Sequence, residues 1–283
     1  MLGAIIGDIV GSRFQFLYDR NRMKCITLFV PSCYITDDSL MTLAVADALL
    51  ISKCDPEILK TVVVDCMRKI GHKYPDTGFG ERFAEWLFDE PDPKPYNSYG
   101  NGAGMRISPV GWVANSEEEV KLLSKIVTEV SHNHPEGLKG AEAVAMAVYL
   151  ARTGKDKEYI RERLQEYYPQ LSDREFTIKK IHGKYGYDEE GLWVTCQGSI
   201  PQALIAFLDS ESFEDAIRNA ICIGGDSDTI GAMTGSVAEA YYGIPEDFKD
   251  KALKYLPEDL LCIYHEFETI KIKRNRHTTE GKE

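Results

Sequence analysis

The sequence predicts an all-α protein with a single compact multi-helix domain, and three observations support this prediction. Apolar residues recur at helical spacing in several long segments. Alternating patterns typical of strands are scarce, and residues 24–30 are the one short candidate. Helical segments continue along the chain without a linker-like composition between them. We therefore expect one domain over residues 1–270, followed by a charged C-terminal tail over residues 271–283.

Helices are predicted, in chain order, over residues 37–52, 116–131, 137–152, 157–168, 199–210 and 232–243. The first carries one apolar stripe, formed by Leu40, Leu43, Ala44, Ala48 and Ile51. The second and the fourth are amphipathic, as surface helices are. The third is rich in alanine and apolar nearly all round, which is typical of a helix at the centre of a bundle. Glycine and proline cluster at residues 91–104, which predicts a loop.

Composition narrows the classes of function. The formal net charge of −12 argues against broad nucleic-acid binding, which needs a basic face. No stretch approaches the roughly 18 apolar residues of a membrane span, and Asp8 lies where a signal peptide would be apolar. The seven cysteines form no CxxC pair and mostly lie in apolar runs. This pattern indicates reduced, buried thiols in a cytoplasmic protein, whereas the oligomeric state is not indicated.

Two acidic motifs are candidates for chemistry. The first is Thr36, Asp37 and Asp38, at the start of the helix over residues 37–52. Such residues ordinarily cap a helix, but they are also oxygen ligands of the kind that hard divalent ions bind. The second motif repeats this chemistry with Asp226, Asp228 and Thr229, although Asp226 or Ser227 could cap the helix that follows. If the two helix N-termini converge, two Mg²⁺ or Mn²⁺ ions about 3.5–4 Å apart would offset the repulsion between the carboxylates.

Two further motifs are weaker. Gly100, Gly102 and Gly104 surround Asn101, and backbone amides in such a turn can bind a phosphate. No clear strand precedes this loop, so a Rossmann-type site is not supported. His132 and His134 have a spacing compatible with zinc, but no third His or Cys is near them in the sequence. A histidine that caps the alanine-rich helix or faces a ligand is the alternative.

The N-terminal segment combines small residues with one acid. Gly3, Gly7 and Gly11 recur at four-residue spacing, which allows close helix packing. Asp8 and Gln15 are seven residues apart and are expected to share a helical face. The single acid in this otherwise apolar stretch is either paired or functional.

Five segments taken together, in this order, resemble the ADP-ribosylglycohydrolase family. They are GAIIGDIVGS, TDDSLMTLAVA, SYGNGAGMR, SHNHPEG and GGDSDTIGAMTGS, and the resemblance runs from residue 3 to about residue 245. It implies an all-α fold with a binuclear Mg²⁺ or Mn²⁺ site. The implied metal ligands are Thr36, Asp37, Asp38, Asp226, Asp228 and Thr229, with Asp228 as the bridge. The implied ligand-binding residues are Asn97, Ser98, Tyr99, Gly100, Asn101 and Gly102, which hold the diphosphate and distal ribose, and His132.

The resemblance also implies an activity: metal-dependent release of ADP-ribose from a modified arginine or serine side chain, or from a small conjugate. Asp38, Asp228 and Gln15 are then the candidate catalytic residues. Many relatives have glutamate where this chain has Gln15. A glutamine keeps a carbonyl oxygen but cannot act as a general base, and losing such a base costs about 10²–10⁴-fold in rate.

Gln15 therefore leaves alternatives open. The chain is a slow enzyme, an enzyme with an altered mechanism, or a module that binds ADP-ribose without turnover. A structural protein that reuses the fold is a third class. The acceptor is not determined, and residues 170–195, the least helix-like stretch of the C-terminal half, are a candidate part of the rim.

Overall fold

The computed structural model describes residues 1–15, 17, 25–181 and 192–280 and confirms the all-α class. The helices are α1 (Leu2–Gly11), α2 (Asp37–Ser52), α3 (Pro56–Lys73), α4 (Glu81–Phe88), α5 (Gly102–Met105), α6 (Ser108–Val113), α7 (Glu117–Glu129), α8 (Pro135–Arg152), α9 (Lys157–Leu164), α10 (Ile178–Ile181), α11 (Cys196–Leu208), α12 (Phe213–Ile223), α13 (Ser227–Tyr242), α14 (Glu246–Ala252) and α15 (Glu258–Glu280). Within the described ranges there is no β-strand, and one isolated bridge pairs Gly100 with Thr195.

The predicted helices are all present, with differences at their ends. α2 spans the predicted residues 37–52. α9 ends at Leu164, four residues before the predicted end, and α13 begins at Ser227, five residues before the predicted start. The strand predicted over residues 24–30 was wrong for its described part, residues 25–30, which form a turn, a bend and chain without regular secondary structure. A strand there would need a neighbouring strand to pair with, and the described chain supplies none.

α1 and α13 pack with their backbones in direct contact. A Cβ atom built on Gly7 would lie 2.0 Å from the carbonyl oxygen of Gly231, and one built on Gly3 would lie 2.1 Å from that of Gly235. The prediction that the glycine repeat allows close packing is therefore confirmed. The same contact brings Gly11, at the end of α1, against the first turn of α13.

Burial follows the predicted pattern with three exceptions. α8 is buried along most of its length, as predicted for a central helix. Four residues of the α2 stripe are fully buried, but Ile51 is 55% exposed. Cys33, Cys66, Cys196 and Cys222 are buried and Cys54 is half-buried, whereas Cys25 and Cys262 are exposed, so the prediction of buried thiols was wrong for those two.

The C-terminal helix α15 runs to Glu280. The boundary at residue 270 stays a prediction. None of the helices in the described part of the chain combines the length and the apolar character needed to cross a bilayer.

Candidate active site

The amino end of α2 is held by a carboxylate from another helix. Asp8, on α1, accepts hydrogen bonds from the backbone N–H of Thr36 at 2.9 Å and of Ser39 at 3.1 Å, and from both hydroxyl groups. Thr36 Oγ1 accepts a hydrogen bond from the N–H of Asp38 at 3.2 Å, so Thr36 is the N-cap of α2. The single acid of the N-terminal segment is therefore paired, and it ties α1 to α2.

The amino end of α13 follows a turn that requires glycine. Gly224 and Gly225 have φ angles of 90° and 70°, a region that glycine adopts without steric cost. Asp226 comes next, but its carboxylate makes no capping hydrogen bond to α13. It accepts instead from Asn101 Nδ2 at 2.7 Å and from Gln15 Nε2 at 3.5 Å. The capping alternative was wrong for Asp226, whose side chain faces the glycine loop.

The amino ends of α2 and α13 converge, as the sequence predicts. Thr229 Oγ1 donates a hydrogen bond to Asp38 Oδ2 at 3.1 Å. Carboxylate oxygens of Asp8, Asp38 and Asp228 all lie within 4.8 Å of one another, and all three residues are buried. Among the residues that the structure describes, this is the one group of three or more His, Cys, Asp or Glu side chains with the spacing of metal ligands.

Two oxygens in this cluster have no hydrogen-bond partner among the residues that the structure describes. They are Asp38 Oδ1 and Asp228 Oδ2, and both are buried. A buried carboxylate oxygen without a partner carries a large desolvation cost. A divalent cation would compensate this cost at both atoms, and carboxylate and hydroxyl oxygens are the ligands that Mg²⁺ and Mn²⁺ prefer. The residues present therefore fit a metal site.

The raised pKa values of the clustered carboxyl groups also favour a bound cation. Burial raises the pKa of Asp37, Asp38 and Asp228 well above the usual carboxyl range, and neighbouring carboxylates raise the pKa values further. Burial raises the pKa of Asp8 to about 6 and raises that of Asp226 as well. The raised pKa values mean that these carboxyl groups bind protons more readily than free carboxyl groups do when no cation is present. A bound metal ion would replace those protons and favour the ionised carboxylates.

A cavity of about 340 Å³ opens beside the acidic cluster. The predicted site residues that line it are Gln15, Asp37, Asp38, Ser98, Gly100, Asn101, Gly102, His132, Asp226 and Thr229. Thr36 and Asp228 are buried and do not line it. Asn97 and Tyr99 are exposed and also lie outside the lining, since Tyr99 packs on the ring of His134 instead. The structure thus brings the two acidic motifs and part of the glycine loop to one cavity.

The glycine loop is fixed by the chain that precedes α11. The N–H of Asn101 donates to the carbonyl of Val194, and the N–H of Cys196 donates to the carbonyl of Tyr99, both at 2.9 Å. α5, which begins at Gly102, has only four residues. The loop is therefore held by backbone pairing with a segment more than 90 residues away in the sequence.

The two histidines have different environments. His134 Nδ1 accepts from the N–H of Glu136 at 3.1 Å, so His134 caps α8, as one sequence alternative proposed. His132 is buried and its Nε2 faces the glycine loop, because a Cβ atom built on Gly102 would lie 3.2 Å from it. Among the described residues, His132 and His134 belong to no group of side chains with the spacing of metal ligands.

Gln15 does not lie where helical periodicity places it. α1 ends at Gly11 and a 3-10 turn, Ser12–Phe14, follows, so Asp8 and Gln15 share no helical face. Gln15 reaches the site because the chain leaves that turn in an extended conformation toward Asp226.

Three residues of the site were missed or underrated by the sequence analysis. Asp8 was singled out but not placed with the other acids, and Phe83 and Arg106 were not singled out at all. Arg106 is fully buried and lines the cavity together with Phe83. A lone charge between the apolar residues of the segment GMRISPV was the signal that could have identified Arg106.

Comparison with known proteins gives consistent matches. The model of the ADP-ribosylglycohydrolase family matches residues 1–273. The ADP-ribosylhydrolase ARH3 of Homo sapiens is 26% identical, with 93% of this chain and 90% of that protein covered. The ADP-ribosylarginine hydrolase Tri1 of Pseudomonas putida is 27% identical, with 86% and 70% covered. A solved structure, a chain of an ADP-ribosylglycohydrolase-related protein complex, shares the fold with a TM-score of 0.65 at 24% identity, over 98% of this chain and 95% of that chain.

Proposed function

Because the chain belongs to the ADP-ribosylglycohydrolase family, we propose that it is a metal-dependent hydrolase that releases ADP-ribose from a modified arginine or serine side chain, or from a small ADP-ribosyl conjugate. The observation that carries this proposal is the convergence of Asp38 and Asp228, each with a buried carboxylate oxygen that has no hydrogen-bond partner in the described part of the chain. These atoms lie next to a cavity that is large enough for part of a nucleotide sugar.

We assign two Mg²⁺ or Mn²⁺ ions to this site, held by Thr36, Asp37, Asp38, Asp226, Asp228 and Thr229. Such ions supply Lewis-acid stabilisation of substrate oxygens and activation of water. Asp8 is a different case because its oxygens accept four hydrogen bonds from Thr36 and Ser39. We therefore assign Asp8 to the orientation of α2.

The acidic end of the cavity suits the charge that develops during glycoside hydrolysis. Cleavage at C1″ of the distal ribose passes through an oxocarbenium-like transition state, which carries positive charge on the sugar. Asp37, Asp38 and Asp226 line the cavity and present negative charge toward it when ionised. Asp38 is the candidate acceptor for the proton of the attacking water, because its side chain lines the cavity and Gln15 cannot accept a proton.

The other end of the cavity suits the diphosphate and ribose. Ser98, Gly100, Asn101 and Gly102 line it, and the two glycines leave room for a ligand to approach the backbone. Asn101 donates to Asp226 through its side chain and therefore joins the loop to the acidic end. His132 borders the same loop.

A second candidate function is an ADP-ribose-binding module with lost or reduced turnover. The observation that favours it is Gln15, which lines the cavity and donates a hydrogen bond to Asp226. A glutamine amide has no negative charge and accepts no proton. This candidate requires binding without hydrolysis, whereas the main proposal requires both.

Calorimetric titration of ADP-ribose, first into the Mg²⁺-loaded protein and then into the EDTA-treated protein, tests the site. The proposal expects binding that depends on the metal, and no binding in either state would contradict it. Turnover is then followed as release of ADP-ribose from arginine-modified and serine-modified peptides. Asp228→Asn should abolish release. Asp250→Asn is the matched control, because Asp250 is an exposed acid on α14, away from the cavity.

A further inference from the structure

Arg106 is a buried cation beside the cavity. Its side chain is 0% exposed, and its Cζ atom lies over the ring of Phe83, 5.1 Å from the ring centroid. Phe83 is in turn stacked on Trp86 with ring centroids 5.3 Å apart. Burial lowers the pKa of Arg106 to about 10, so the guanidinium stays charged at neutral pH. The Phe83 ring therefore covers one side of this charged group.

The guanidinium of Arg106 is directed at one atom of His132. Nη2 of Arg106 donates to Ser131 Oγ at 2.7 Å and lies 3.2 Å from His132 Nδ1. Ser131 Oγ itself lies 2.8 Å from His132 Nδ1. Among the described residues, these are the hydrogen-bonding contacts of the His132 ring, and both are made at Nδ1.

These contacts determine where the imidazole proton lies. A guanidinium has donors and no acceptor, so the atom that faces it must carry a lone pair. Ser131 Oγ already accepts from Arg106, which leaves its own proton free to point at Nδ1. The doubly protonated ring is disfavoured, because burial and then the charge of Arg106 lower the pKa of His132 well below its usual value.

We propose that Arg106 is a positioning residue that holds His132 as the neutral Nε2–H tautomer, with this hydrogen-bond donor facing the loop from Gly100 to Gly102. A Cβ atom built on Gly102 would lie 3.2 Å from Nε2, and one built on Gly100 would lie 3.6 Å from it, so both glycines leave this face of the ring open. Phe83 and Tyr96 flank the ring at centroid distances of 6.2 Å and 5.9 Å.

His132 therefore presents a hydrogen-bond donor to the cavity and does not act there as a base. Its only lone pair is at Nδ1, on the side of Arg106 and Ser131. The acceptor for Nε2–H would be an oxygen of the diphosphate or of the ribose. This last step rests on the proposed function, whereas the tautomer does not.

The test is a spectrum of the ligand-free protein. Long-range proton–nitrogen correlation spectra of the full chain, labelled with ¹⁵N-histidine and loaded with Mg²⁺, distinguish the two neutral tautomers, and His132→Gln identifies the signals. We expect pure Nε2–H for His132. Arg106→Met removes every donor and should yield a mixture with Nδ1–H, together with about threefold to tenfold weaker binding of ADP-ribose, the loss of one oriented hydrogen bond.

Two further variants provide a control and a second test of the tautomer. Arg152→Met is the matched control, since Arg152 is a part-buried arginine that donates to backbone carbonyls and lies away from the cavity. It should leave the His132 signals unchanged. Ser131→Ala should keep the Nε2–H tautomer, because Arg106 still faces Nδ1, and this variant decides the question if Arg106→Met does not fold.

The proposal is overturned by an Nδ1–H tautomer or an imidazolium in the unsubstituted protein. It is also overturned if Arg106→Met retains pure Nε2–H or if Ser131→Ala switches the tautomer. A protein that shows the expected tautomer but binds no ADP-ribose would refute the proposed function and leave the role of Arg106 standing.

Discussion

Replacement of Gly7 by alanine should be among the most damaging single-methyl additions to this protein. A Cβ atom at this position would lie 2.0 Å from the carbonyl oxygen and 2.1 Å from the carbonyl carbon of Gly231, and 2.6 Å from the nitrogen of Ala232. All three atoms belong to the backbone of α13, so no side-chain rotation can relieve the overlap. Ordinary contact begins near 3.4 Å, and the two helices must therefore separate.

The magnitude follows from two opposing effects. Overpacking of a close contact costs about 1–3 kcal/mol and occasionally more, and rigid backbone on both sides of Gly7 favours the upper end of this range. Alanine in place of glycine within a helix returns up to about 1 kcal/mol. We expect a net destabilisation of about 2 kcal/mol or more. The separation also moves Asp8 relative to Asp228, so the affinity for Mg²⁺ should fall.

Urea unfolding in EDTA measures the stability, and calorimetric titration of Mg²⁺ measures the site. Gly71→Ala is the matched control, because a Cβ atom there meets only the side chain of Leu87, at 3.1 Å, and lies within helix α3. Gly71→Ala should change the stability by less than about 1 kcal/mol. The reasoning is refuted if Gly7→Ala is as stable as Gly71→Ala and binds Mg²⁺ normally.

Three other predictions concern charge. Asp38→Asn should raise the melting temperature in EDTA, because it removes one buried carboxylate whose pKa is raised by burial and then by the Asp8 carboxylate. The same variant should no longer be stabilised by Mg²⁺. A lower melting temperature in EDTA would contradict this reasoning. Gln15→Glu should raise the hydrolysis rate by up to about 10²–10⁴-fold if general-base catalysis is what Gln15 lacks, and an unchanged rate in a protein that binds ADP-ribose would count against a catalytic carboxylate at this position. Burial lowers the pKa of Lys157 to about 8, below the 10.5 of the unfolded chain. Between these two pH values the unfolded state binds more protons than the folded state. The contribution of Lys157 to stability therefore rises with pH across this window. Lys157→Met should remove that slope from urea unfolding measured between pH 7 and 10, and an equal slope in both proteins would refute the assignment.

Local signals predicted the helices and part of the site. The ends of α2 follow from the cap at Thr36 and from the spacing of its apolar residues, and both features are readable within one segment. The two acidic motifs could be identified for the same reason, since each holds its carboxylates within a few residues. The glycine repeat likewise predicted close packing but not its partner helix.

The sequence by itself determined the fold class, the main helices and the identity of the acidic motifs, because capping and periodicity act over one or two turns. The tertiary structure decided which buried charges meet. Asp8 contacts the start of α2 about 30 residues away, and Asp38 meets Thr229 across 191 residues. Arg106, in the turn between α5 and α6, reaches His132, which precedes α8. Gln15 faces Asp226 only because α1 ends early. Whether a carboxylate near a helix end is solvated or buried depends on what packs against it, and Asp8 and Asp228 are buried where α1 packs closely against α13.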